Sequence, residues 1–330
     1  MPLVTAPRSE TGEAPAEIAV RAPAKLNLSL AVLARRDDGF HEIESLIVPV
    51  TLHDTVAVRV AGRPGIRLRV RFAGGLATAA GRSLATDVPT DATNLVVRAA
   101  AALAAEAGIA PESGDGPGLD IDLVKRIPSG SGLGGGSSDA AAVLVAAARA
   151  WGIDWPRDRL AAIGGRIGSD VPVFFAGGAA VVGGRGERIE TVSGIPPLHV
   201  VIARPLAGLS TAAVYGHCTP DPARRGEAAR LAAALASGRL RGGFPLMHNA
   251  LQEAARGLCP EVDRLLDAFV RAGAAHPLLT GSGSACFALM RSAVEARRVA
   301  VRLEMAGWPG VFSVRLATAA RDRHPLTMAT

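Results

Sequence analysis

Residues 128–139 read Pro-Ser-Gly-Ser-Gly-Leu-Gly-Gly-Gly-Ser-Ser-Asp, and no other segment restricts the fold so tightly. The run follows an alternating apolar stretch, 119–124, whose period of two predicts a strand. It precedes 140–151, an alanine-rich stretch of high helix propensity. Glycines between a strand and a helix let the backbone turn tightly and approach a ligand closely. The helix start then offers unpaired N–H groups and the positive end of a dipole, which suits a phosphate. Ser137, Ser138 and Asp139 are common N-cap residues and put the helix start there. A flexible linker would need neither flanking element.

The loop fits neither common phosphate-binding class. Gly130-Ser131-Gly132-Leu133-Gly134-Gly135 matches the pattern G-x-G-x-x-G. The dinucleotide fold also needs a second strand after the helix, ending in an acidic residue. Here the helix runs into Trp151-Gly152-Ile153-Asp154-Trp155-Pro156 and then another helical stretch, 157–167. A P-loop would end in Gly-Lys-Ser/Thr, and no lysine follows Gly136.

Composition narrows the remaining classes. At 330 residues and 49% apolar, the chain can build two domains or one large one. No apolar run reaches the length of a membrane span. Residues 1–17 lack the basic start and apolar middle of a signal peptide, and read as a disordered tail on a cytoplasmic protein. Cys218, Cys259 and Cys286 lie far apart, and the histidines show no ligand spacing, so no metal centre built from protein ligands is expected. The net charge of +6 is dispersed over arginines with few interleaved aromatics, which argues against nucleic acid. Only Lys25 and Lys125 are lysines. In so arginine-rich a chain, they mark sites where a compact ammonium is wanted.

Strands are expected at 18–33 (bent near Pro23), 45–52, 55–60, 66–72, 119–124, 198–203 and 311–316. Broken strands are expected over 173–182, and a strand inside 278–290. Helices are expected at 94–107, 140–151, 157–167, 210–215, 226–236, 246–257, 260–272 and 294–307, with loops at 74–90 and 111–118. Strands and helices mix without strict alternation, so the fold class is α+β. Ser193-Gly194-Ile195-Pro196-Pro197 reads as a junction between domains at 18–197 and 198–330.

Three segments carry a resemblance. The glycine loop, Pro23-Ala24-Lys25-Leu26-Asn27-Leu28-Ser29-Leu30, and Leu279-Thr280-Gly281-Ser282-Gly283-Ser284-Ala285 together resemble the galactokinase, homoserine kinase, mevalonate kinase and phosphomevalonate kinase (GHMP) superfamily. Arg35-Arg36-Asp37-Asp38-Gly39-Phe40-His41-Glu42 and Gly168-Ser169-Asp170-Val171-Pro172 are similar to one branch, the 4-diphosphocytidyl-2-C-methyl-D-erythritol kinases. The resemblance implies a two-domain kinase with its active site between the domains, using ATP and Mg²⁺ to phosphorylate the 2-hydroxyl of that cytidyl alcohol.

It also implies residue roles. Pro128, Ser129, Gly130, Ser131, Gly132, Leu133, Gly134, Gly135, Gly136, Ser137 and Ser138 hold ATP, with Ser137 or Ser138 reaching Mg²⁺. Asp170, which alone reads as a turn aspartate, becomes the base, and Lys25 its charge partner. Asp139 caps its helix. Phe40 and Tyr215 sandwich the cytosine, His41 reads its edge, and Asn27 and Thr211 position polar groups of the substrate. The branch usually has tyrosine at position 40, so a hydroxyl contact is missing. Two alternatives stay open: another superfamily kinase or decarboxylase, and a catalytically silent nucleotide-binding protein.

Overall fold

The computed structural model describes residues 17–73, 88–113, 116–239, 243–317, 326 and 328. The expected tail, most of the loop at 74–90, and positions 114 and 115 of the next loop lie outside the described residues. The strands are β1 (Ile18–Arg35), β2 (His41–Ala61), β3 (Ile66–Phe72), β4 (Gly118–Lys125), β5 (Ala179–Gly184), β6 (Arg188–Val192), β7 (His199–Ala203), β8 (Leu278–Leu279), β9 (Cys286–Met290) and β10 (Phe312–Arg315). The helices are α1 (Leu95–Ala107), α2 (Gly135–Ala150), α3 (Arg157–Ile167), α4 (Thr211–Gly216), α5 (Glu227–Ala236), α6 (Gln252–Leu258), α7 (Pro260–Ala272) and α8 (Ala293–Met305).

The first six strands form one sheet and the last four another, an α+β arrangement. β2 is the axis of the larger sheet. One edge pairs antiparallel with β1, and the other with β5 near its start and β4 near its end. Among the described strands only β3 and β4 run parallel. Side chains alternate between faces, as pleating requires. In β2, Ile47, Val56 and Val58 pack with α1–α3, while Leu46, Val48 and Val50 face the smaller sheet. In β7, Val200 and Ile202 face the larger sheet, while Val201 and Ala203 face the cluster around α7 and α8. Two sheets therefore lie between two helical layers. The alanines of α2 from Ala140 to Ala148 are buried, and their small side chains let the helix pack closely on the sheet.

Several expectations are corrected. The strands 45–52 and 55–60 are one continuous strand, because His53-Asp54 is not a turn. Asp54 is fully buried, and its carboxylate takes the amides of Arg126 and Ile127, the latter at 2.8 Å. The segment expected as broken strands opens with a one-turn 3₁₀ helix, Pro172–Phe175, where Pro172 supplies no N–H to a sheet, and β5 follows. The helix expected at 246–257 begins only at Gln252, because Ala250 N–H bonds back to Leu30 of β1 at 2.8 Å. β6, on the edge of the larger sheet, was not anticipated, since its exposed polar residues hide the alternation. Among the described residues no helix is long and apolar enough to cross a membrane.

Candidate active site

The glycine loop leaves β4 and enters α2 through Gly134, whose φ of +70° turns the chain without a side-chain cap. Ser137, Ser138 and Asp139 thus lie inside the helix, correcting their expected N-cap role. Its first-turn N–H groups need no side-chain cap and stay available to a ligand. Gly132 is required twice over: its φ is +78°, and a Cβ there would lie 2.1 Å from the Thr280 carbonyl oxygen.

The loop is braced from outside. Lys25 N–H donates to the Leu133 carbonyl at 2.9 Å, and Ala285 N–H to the Ser131 carbonyl at 3.1 Å. Arg204, 2% exposed, donates to the Ser129 carbonyl at 2.7 Å. Ser131 Oγ donates within the loop to the Pro128 carbonyl at 2.6 Å. The segment 280–285 therefore packs directly on the glycine loop. Arg204 and Thr280 were not singled out as site residues; a single arginine or threonine gives no sequence signal of such bracing.

Lys25 and Asp170 come together. In β1, Ala24, Leu26 and Leu28 face the inter-sheet core, which leaves Lys25 and Asn27 on the opposite face, toward the site. Lys25 Nζ lies 3.6 Å from Asp170 Oδ2; the lysine side chain is 5% exposed and the aspartate 43%. Lys25 Nζ also donates to Asn27 Oδ1 at 2.7 Å. Asn27 Nδ2 donates to Ser45 Oγ at 2.8 Å, and the Asn27 amide to Thr280 Oγ1 at 3.1 Å. The Asn27 side chain is thus largely committed to holding the lysine. Asn249 Nδ2 bonds the Leu279 and Gly281 carbonyls at 2.9 and 2.8 Å, which fixes the 280–283 turn.

Lys125 is buried between two carboxylates, Asp54 and Asp139, the latter at 2.7 Å. Asp139 therefore ties α2 to β4 and β2, correcting its expected capping role. Burial and the adjacent Asp54 charge push the Asp139 carboxyl up to about 8, against the pull of Lys125. Asp139 Oδ1 and Ser138 Oγ are buried without hydrogen-bond partners. Ser138 is fully buried, whereas Ser137 lines the cleft.

The cleft is about 1270 Å³, and the glycine loop, Lys25 and Asp170 line it. Val88, Pro89, Asn94 and Leu95 also line it, a wall that sequence reasoning missed. Phe40, His41, Thr211 and Tyr215 line the same cleft. The His41 and Tyr215 rings meet at 5.1 Å with a 38° tilt, and Phe40 is 47% exposed. Tyr215 also packs on the core around α7, and burial pushes its hydroxyl pKa up. Burial, with the nearby Arg35 charge, pulls the His41 imidazole below its ordinary value, so it is neutral at pH 7. Thr211 Oγ1 meets Ser282 Oγ at 2.9 Å.

A glycine loop at a helix start, in one cleft with a lysine–aspartate pair, is an arrangement suited to phosphoryl transfer from a nucleotide such as ATP, that of a small-molecule kinase. The GHMP kinases N terminal domain matches residues 94–178, and the GHMP kinases C terminal domain residues 227–307. The chain is 40% identical to the 4-diphosphocytidyl-2-C-methyl-D-erythritol kinase of Rhodopirellula baltica, over 89% of this chain and 92% of that one. It is likewise 40% identical to the kinase of the same name from Nocardia farcinica, over 92% and 94%. A crystal structure of 4-(cytidine 5'-diphospho)-2C-methyl-D-erythritol kinase superposes with a TM-score of 0.71 at 33% identity, covering 91% of this chain and 99% of that one. The chain belongs to the 4-diphosphocytidyl-2-C-methyl-D-erythritol kinase family.

Proposed function

We propose that the protein transfers the γ-phosphoryl group of ATP directly to the 2-hydroxyl of 4-diphosphocytidyl-2-C-methyl-D-erythritol, a step of the non-mevalonate route to isoprenoid precursors. The single observation that carries this reading is the Lys25–Asp170 pair at 3.6 Å, in one cleft with the glycine loop and with Phe40, His41 and Tyr215. Asp170, partly exposed to the cleft, accepts the hydroxyl proton. Lys25, held by Asn27, stabilises charge on the transferring group. The first-turn N–H groups of α2 and the loop take the phosphates, and the 88–95 wall takes the adenine. The protein acts in the cytoplasm on a small molecule, without nucleic acid. The division into domains at 18–197 and 198–330 puts the cleft between them.

Mg²⁺ fits the donors present. Ser137 Oγ lines the cleft and Asp139 Oδ1 lacks a partner, and both are hard oxygens. A bound Mg²⁺ would neutralise phosphate charge. Of the two serines, Ser137 is the one able to reach it.

Incubation with ATP, Mg²⁺ and the cytidyl alcohol should release ADP and yield one phosphorylated product, with no phosphoenzyme in rapid quench. Turnover only with a different alcohol would remove the substrate assignment.

The cytosine stacks between Phe40 and Tyr215. Base–aromatic stacking contributes roughly 1–3 kcal/mol. Phe40→Ala should therefore raise the Kd for the cytidyl substrate by about ten-fold or more, with ATP affinity unchanged and Phe40→Tyr tolerated. Tyr215→Ala should weaken the cytidyl ligand while sparing ATP. Equal weakening of both ligands, with a lower Tm, would instead make Tyr215 a packing residue only.

A further inference from the structure

Among the described residues three cations are buried: Lys25, Lys125 and Arg204. The lysines are matched, Lys25 by Asp170 and Lys125 by Asp54 and Asp139. Arg204 has only backbone carbonyls. It directly follows β7, and its three guanidinium nitrogens each donate to one: Nε to Pro205 at 2.8 Å, Nη2 to Leu206 at 3.1 Å and Nη1 to Ser129 at 2.7 Å. Burial lowers its pKa and no neighbouring carboxylate raises it. A guanidinium nonetheless keeps its charge inside a protein. Taking an ion out of water is costly, and an ion without an opposite charge recovers least of that cost.

The Ser129 bond crosses between the halves of the molecule, since β7 belongs to the smaller sheet and Ser129 to the loop after β4. It is also one of a series. The carbonyls of residues 129, 131 and 133 each accept a donor from outside the loop: Arg204, the Ala285 N–H and the Lys25 N–H. In a trans peptide the C=O and the next N–H point in opposite directions. The three donors therefore turn the N–H groups of Gly130, Gly132 and Gly134 away from themselves. Among the described residues none of these N–H groups donates to a protein acceptor, and all three glycines line the cleft. Two of the outside donors are neutral amides. The one on Ser129 carries a full charge.

We propose that Arg204 is a positioning residue for ATP: it aims the Gly130 N–H at the phosphates and adds an unneutralised positive charge behind the loop, so that the grip on a nucleotide rises with its phosphate charge. This rests on the reading of the glycine loop as the phosphate site given above. The half built on the smaller sheet thereby contributes to nucleotide binding through a residue that touches neither nucleotide nor alcohol. A charge fixed by its own carbonyl partners needs no reorganisation when the phosphates enter.

Calorimetric titration with adenosine, ADP and ATP tests this on wild type, Arg204→Gln and Arg204→Lys, with steady-state kinetics alongside. Wild type should bind ATP more tightly than ADP, and ADP more tightly than adenosine. Arg204→Gln, which keeps a donor but no charge, should lose about ten-fold or more of the preference for ATP over adenosine. Its affinity for adenosine should be unchanged, which shows that the site is folded. Its KM for ATP should rise by a similar factor while kcat changes by less than about three-fold, because the residue lies away from the reacting atoms. Arg204→Lys should keep the preference within about three-fold of wild type, since the charge behind Ser129 remains. A larger loss in Arg204→Lys overturns the proposal and leaves the arginine as a brace only; this criterion decides alone should Arg204→Gln not fold. A preference that survives in Arg204→Gln overturns it as well, although the phosphate reading of the loop would then stand. Wild type that binds ATP no better than adenosine overturns both together.

Discussion

Asp170→Asn should lower kcat by about 10²-fold or more, the scale contributed by a positioned general base, while ATP affinity stays near that of wild type. The asparagine fills the same volume and keeps a polar group beside Lys25, so the loop and its bracing are undisturbed. What is lost is the acceptor for the hydroxyl proton. Lys25→Ala should lower kcat comparably. Lys25→Arg should not restore it, because the pocket between Asn27 Oδ1, Asp170 and Gly134 is built around a narrow stem. The lysine stem runs against Gly134, and its ammonium is placed between Asn27 Oδ1 and Asp170, a compact point charge that a planar fork does not reproduce. Steady-state kinetics with separate ATP titrations reads both effects. Wild-type turnover by Asp170→Asn would take this residue out of the chemistry.

Lys125→Met should be the most destabilising single change in the site. It leaves Asp54 and Asp139 buried side by side with no cation between them, and removing one partner of a buried pair costs about 3–5 kcal/mol. That is a large part of the total stability of a typical protein, about 5–15 kcal/mol. Urea unfolding should show a much lower midpoint. Changing Asp139 to Leu and Asp54 to Asn alongside Lys125→Met should recover part of the loss, because the unpaired buried carboxyl groups are then gone. Function should suffer as well. Asp54 also takes the amides of Arg126 and Ile127, so the entrance to the glycine loop shifts and the KM for ATP rises. A midpoint equal to that of wild type would show the cluster to be dispensable.

Local chemistry made much of this molecule legible in its sequence. The period of 119–124 and the glycines of 130–136 located the strand, the loop and the helix. The scarcity of lysine picked out Lys25 and Lys125, and both prove to be buried and ion-paired. Distance along the chain hid the rest. Asp54 looked like a turn residue because its partner Lys125 lies 71 positions away. Thr280 gave no signal because the Asn27 backbone N–H that it accepts lies 253 positions away. Ser137, Ser138 and Asp139 looked like caps because propensity is read from side chains, whereas Gly134 starts the helix with its backbone alone.

β1 belongs to both halves of the molecule. Its backbone pairs with β2 from Ile18 to Arg35, while Leu30 takes bonds from and gives bonds to the 248–250 segment, each at 2.8 Å. Lys25 sits on this shared beam, five residues before the crossing at Leu30. A strand hydrogen-bonded on both sides is a poor hinge, so the position of Lys25 against the glycine loop, whose Leu133 carbonyl takes its backbone N–H, is tied to both halves at once. Adjustment to substrate is left to the rim, in the turn that carries Phe40 and the hairpin that carries Arg185. That rim stands outside this shared beam, so substitutions there should change recognition of the base while leaving the Lys25–Asp170 geometry in place.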